Sequence, residues 1–112
     1  MQPTDYSNNK RQTPRFAFNL PIQLSFGSQI TLIGQLKDLS LKSAFVKIKG
    51  SIYMQPNDEL SFAISRSLDS VEKFVHGLAR ISRIAKGEGI AIYFTKMDDD
   101  STARLKELLT VR

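Results

Sequence analysis

Residues 16–26 read FAFNLPIQLSF, and their alternation decides the fold. Phe16, Phe18, Leu20, Ile22, Leu24 and Phe26 alternate with Ala17, Asn19, Pro21, Gln23 and Ser25. Period two over such a length predicts a half-buried strand, long enough to bend around a barrel. Pro21 has no N–H to give a ladder, so it predicts an edge or bulge position that splits the run in two. Gly27-Ser28 then reads as a hairpin turn. Ile30, Leu32, Gly34 and Leu36 continue as a second strand, with Gly34 expected at a bend or bulge. That strand delivers Asp38 and Ser40 at its end. Phe45, Val46 and Ile48 make a third strand, stopped by Gly50, so Asp38 and Ser40 fall at a strand-to-strand corner.

The pattern continues downstream. Gln55-Pro56-Asn57-Asp58 is turn chemistry, followed by a fourth strand with Leu60, Phe62 and Ile64 on one face. Residues 66–73 (RSLDSVEK) form a polar loop, and residues 74–84 a fifth strand carrying His76, Arg80 and Arg83. Lys86-Gly87-Glu88-Gly89 turns the chain into a sixth strand over residues 90–95. Asp98-Asp99-Asp100-Ser101 is a helix start: carboxylates suit the positive dipole end, and Asp100 or Ser101 is expected to cap a free N–H. Leu105, Leu108 and Leu109 follow at helical spacing. These elements predict a mostly β domain, a six-stranded antiparallel β-barrel packed by one C-terminal α-helix.

At 112 residues and 41% hydrophobic, the chain is one domain with enough apolar side chains for one core. Residues 1–9 are polar apart from Met1 and Tyr6 and carry a proline and an Asn-Asn pair, so they read as a flexible N-terminal arm before a domain spanning residues 10–112. No stretch is apolar for long enough to span a membrane, and the start lacks the apolar region of a signal peptide, so a cytoplasmic protein is expected. Zero cysteines exclude disulfides, thiolate catalysis and Cys-ligated metals. The one histidine, His76, has no partner set for zinc, and the aspartate run at 98–100 reads as a helix start rather than a metal cluster. Gly87-Glu88-Gly89 lacks the third glycine and the helix of a dinucleotide fingerprint. With no nucleophile–base pair either, no enzyme and no cofactor are expected.

A net charge of +5 points toward an anionic partner, and residues 10–15 (KRQTPR) sharpen this. Arg11 and Arg15 stand four apart on a stretch that Pro14 keeps out of a helix, up to roughly 13 Å apart at Cα if extended. A guanidinium meets a phosphate or the O6/N7 edge of guanine with two parallel hydrogen bonds and also stacks on aromatic planes. Lys10 adds charge beside them. Residues 38–45 (DLSLKSAF) supply the complement: Asp38 accepts from a guanine N1–H and N2–H₂ edge, and the Ser40 hydroxyl donates or accepts.

RxxxR followed about two dozen residues later by DxSxx(G/S)A(F) resembles the PilZ domain family, whose motifs are RxxxR and [D/N]xSxxG. Arg11 and Arg15 match the first, Asp38 and Ser40 the second, and Ser43 stands where the motif has glycine. The resemblance runs from about Lys10 to the C-terminus and implies a barrel of the split type with a closing helix. It also implies a receptor for the second messenger cyclic di-GMP, with Lys10, Arg11, Arg15, Asp38, Ser40 and Ser43 at the ligand. One of Arg80 and Arg83, Arg80 first, is a candidate further contact on the barrel wall, with salt bridging to Asp or Glu along the strand face as the ordinary alternative. By resemblance the arm orders over the ligand and alters a surface shown to a downstream protein partner, in motility or biofilm control. If the turn requires positive φ, Ser43 would cost about 1–2 kcal/mol relative to glycine. Two other readings remain: a small barrel binding RNA or single-stranded DNA, and a PilZ-like adaptor without ligand. The first needs exposed aromatics among cations, whereas most Phe fall on the inward phase and nucleic acid is not the expected partner.

Overall fold

The alternating stretches pair into seven antiparallel strands followed by one helix. They are β1 (Phe16–Ala17), β2 (Pro21–Phe26), β3 (Ile30–Leu39), β4 (Ser43–Lys47), β5 (Glu59–Ile64), β6 (Val75–Ala85), β7 (Gly89–Met97) and α1 (Asp99–Thr110). The structure, a computed structural model, describes residues 16–17, 19–27, 30–48, 54–66 and 73–110. The sheet order is β1-β3-β2-β5-β6-β7-β4, and β4 returns to pair with β3. That last pairing closes β2–β7 into the six-stranded barrel, with β1 a short addition on the end of β3. The arm expected at residues 1–9, the stop at Gly50 and most of the loop at 66–73 lie outside the described residues.

Inward phases fill the barrel. Ile22, Leu24, Leu36, Leu39, Val46, Ile64, Ile81, Ile90 and Ile92 are all at most 1% exposed. Each such side chain stabilises the fold by roughly 1.5–3 kcal/mol through apolar burial, which makes this row the main source of cohesion. The long alternating run does divide at Pro21. Strand structure resumes there, and across the gap the Leu36 N–H donates to the Leu20 carbonyl at 2.8 Å.

Gly34 is not the bulge expected of it. The register of β3 against β4 shifts between Leu36 and Asp38, three residues further on. Gly34 meets a different need: a Cβ there would lie 2.6 Å from Val46 Cγ1 and 3.0 Å from the Lys47 carbonyl oxygen. The closing strands approach too near for any side chain. Two further shifts, between Leu78 and Ala79 and between Ile81 and Arg83, interrupt β6 against β7. Each bulge spends one extra residue on the outer face, so Leu36 and Leu39, three apart, both point inward.

The turns follow their residue chemistry. Asp58 N–H donates to the Gln55 carbonyl at 3.1 Å, its carboxylate accepts from the Gln55 N–H at 2.9 Å, and Asn57 takes a φ of 76°. At the helix start the cap is Asp98, not Asp100 or Ser101. Its Oδ1 accepts the Ser101 N–H at 2.7 Å, and that bond, with help from the Ser101 hydroxyl, His76 and Arg104, holds the carboxyl below the usual aspartate range. Ser101 is buried instead and accepts the His76 backbone N–H at 3.1 Å, tying the helix to β6. Leu105, 1% exposed, completes the seal. Among the described residues no helix is long and apolar enough to cross a membrane.

Candidate functional site

The corner between β3 and β4 is built around Ser40. Its side chain is fully buried, and its N–H donates to the Ser43 carbonyl at 2.8 Å. Its hydroxyl accepts the N–H of Lys42 at 3.2 Å and of Ser43 at 3.1 Å, and lies 3.2 Å from both the Ser43 carbonyl and the Ser43 hydroxyl. A serine placed this way substitutes for turn backbone: it satisfies the N–H groups that the reversal would otherwise leave unpaired. From the far side, the Lys42 carbonyl accepts the Phe94 N–H of β7 at 2.8 Å. The corner is therefore held at both ends.

Asp38 reaches the outer surface because of the bulge before it. Strict alternation from Leu36 would turn a carboxylate into the core, where an unpaired charge is prohibitive. The extra residue keeps Asp38 outward and half-buried, opposite Phe45 on β4 and Ala17 on β1. The same row continues through Ala91 on β7 to Arg83 on β6. Ala91 is small enough for Arg83 to reach across it, and the guanidinium lies 5.8 Å from the Phe45 ring centroid. One step along, Ser43, Tyr93 and Arg80 form a parallel outer row. The result is a shallow platform carrying one acid, two aromatics, two hydroxyls counting Tyr93, and the Arg83 guanidinium at its far edge.

The structure thus brings Asp38, Ser40 and Ser43 together at one corner. Arg80 is directed away: it donates to the Asn57 carbonyl at 2.7 Å and lies 3.8 Å from Glu59, the ordinary strand-face pairing. Lys10, Arg11 and Arg15 lie outside the described residues. Phe16, the residue after Arg15, pairs with Leu39, so the described chain starts beside this corner. Phe45 closes the DLSLKSAF stretch and Arg83 is one of the two arginines of the fifth expected strand, but motif reading does not put them together. Their meeting depends on β4, β7 and β6 lying side by side, and no local spacing signals that.

Ser43 is not strained. Among the described residues Asn57 is the one non-glycine with positive φ, so the penalty expected at Ser43 does not arise. Ser43 is an ordinary strand residue paired with Tyr93. Ser43→Gly is accordingly expected to lower stability by about 0.5–1 kcal/mol, because glycine in a strand loses more chain entropy on folding. Urea unfolding measures this; a more stable glycine variant would mean that the serine is strained after all.

Residues 9–110 match the family model described as PilZ domain. Among solved structures the fold is similar to the PilZ domain of YcgR from Escherichia coli, described with c-di-GMP. The TM-score is 0.73 at 16% identity, covering 92% of this chain and 91% of that one. It is similar to the Bacillus subtilis inhibitor of motility MotI/DgrA at TM-score 0.72 and 16% identity over 92% of this chain. The match covers 51% of that protein, about half its length. The PilZ domain of CeSA from a cellulose-synthesizing bacterium matches at TM-score 0.65 and 23% identity, over 88% of this chain and 96% of that one. No curated protein matches in sequence.

Proposed function

The chain belongs to the PilZ domain family, and from that premise we propose that it is a non-enzymatic receptor for cyclic di-GMP, read out by a protein partner. The observation that carries this reading is the outward carboxylate of Asp38 beside the Phe45–Arg83 pair, at the corner where the chain following Arg15 enters the sheet. Asp38 accepts from the N1–H and N2–H₂ edge of one guanine. Arg11 and Arg15 clamp phosphates and guanine edges, one of them stacking on a base, and Lys10 adds to the local field. Ser40 acts through position: its hydroxyl is spent on the turn, and the turn presents Asp38 and the Ser43 hydroxyl. Arg80 stays with Glu59, and Arg83 is the better candidate for the far side of the ligand.

Ligand binding draws the arginine-bearing arm onto the barrel, which changes the surface offered to a partner. Ordering entropy opposes this, and charge-assisted contacts of roughly 1.5–3 kcal/mol each offset it. The cited neighbours suit an output in motility or biofilm formation.

An NMR titration with cyclic di-GMP tests the reading. Amides of Asp38, Lys42, Ser43 and Phe45 should shift and saturate together, with those of Arg11 and Arg15. If the corner stays unmoved while a single-stranded oligonucleotide shifts the Tyr93 and Arg83 region with a steep salt dependence, the nucleic-acid reading replaces this one.

A further inference from the structure

A second concavity lies behind the corner, between the end of β7 and α1. Its floor is apolar: Phe94 and Met97 from β7, Leu105 from the helix, and Leu41, 40% exposed, from the corner itself. Three exposed lysines surround that floor, Lys42, Lys96 and Lys106, one from each of the three elements. The ion pairs among the described residues, His76–Asp98 and Arg80–Glu59, involve none of the three. The volume is about 310 Å³, at the small end for a ligand pocket.

We infer that this groove docks an acidic amphipathic peptide segment of a protein partner, with a large apolar side chain in the Phe94–Met97–Leu105 floor and flanking carboxylates on the lysine rim. Charge complementarity selects the sign: an apolar floor ringed by cations alone suits carboxylates beside an apolar anchor. Shape selects the class. Phe94 and Met97 are half-buried and Leu105 is buried, so an inserted side chain reaches them where a flat lipid surface does not, and Leu41 alone stands exposed, as one wall.

The docking stands apart from the nucleotide, but its regulation rests on the cyclic di-GMP reading above. Leu41 and Lys42 belong to the DLSLKS corner, and the Lys42 carbonyl to Phe94 N–H bond joins that corner to the groove floor. Any ligand that re-sets the corner therefore moves one wall of the groove.

The test is an NMR titration of the intact chain with a synthetic helical peptide of leucine and glutamate, about 14 residues long so that it forms a few turns. Amides of Leu41, Phe94, Met97 and Leu105 should shift saturably, and Lys96→Glu/Lys106→Glu should weaken binding about tenfold. The inference is overturned if those amides do not respond, or if a leucine–lysine peptide moves them equally. It is also overturned, in favour of a membrane, if vesicles of anionic phosphatidylglycerol shift the same amides and the peptide does not. Repeating the peptide titration with cyclic di-GMP separates the two claims. Silence at Asp38 and Ser43 with peptide still bound removes the nucleotide reading alone, and silence at the groove removes the docking alone.

Discussion

Alanine at both Arg11 and Arg15 is expected to weaken cyclic di-GMP binding by about 10²–10⁴-fold while leaving the barrel's melting temperature almost unchanged. Two charge-assisted contacts at roughly 1.5–3 kcal/mol each give about 3–6 kcal/mol, and each 1.4 kcal/mol is tenfold. Residues that share one ligand do not add independently, so each single variant should account for more or less than half of the double. The described core is built from side chains between Ile22 and Leu105, so this variant is expected to separate binding from folding. Isothermal calorimetry reads the affinity and far-ultraviolet dichroism the fold. Affinity within threefold of the parent chain would leave the arm without a role in binding.

Leu36→Ala should have the largest effect on folding. Leu36 is fully buried, and its backbone is fixed through Leu20 on one side and Val46 on the other. Two constraints therefore limit how far the interior can collapse around the missing atoms, which places the substitution within the usual 2–5 kcal/mol for a buried leucine. For a domain of this size about 3 kcal/mol corresponds to a drop of roughly 10–20 °C in melting temperature. Asp38 stands two residues beyond, so the damage should also reach the corner and appear as shifted amides there. A loss below about 1 kcal/mol would contradict an interior closed around this strand.

Much of this was legible before any coordinates, for reasons that differ from element to element. The alternation in residues 60–64, the turn at Gln55–Asp58 and the Gly87 reversal are local, and local chemistry decided them. The division at Pro21 and the corner at Asp38 and Ser40 were legible for the same reason. The bulges were not. In ITLIGQLKDL a regular alternation puts Asp38 on the face of Leu36, and only barrel closure requires Leu39 to be inside as well. The helix cap was misplaced by two or three residues because each of four consecutive polar residues is able to cap, and the tie from His76 to Ser101 chose Asp98. Arg83 and Phe45 lie far apart along the chain, so their contact was readable only from the completed sheet.

The two-ended anchoring of the corner carries a consequence for biosynthesis. The β3–β4 hairpin is assembled from neighbours in sequence, yet the Phe94 N–H that fastens it arrives about half the chain later. A nascent polypeptide emerging from the ribosome therefore exposes the outer edge of β4 as an unpaired template until β7 is released, the interval in which intermolecular strand exchange competes with closure. Truncation anywhere before β7 should yield aggregating fragments rather than a weakened receptor.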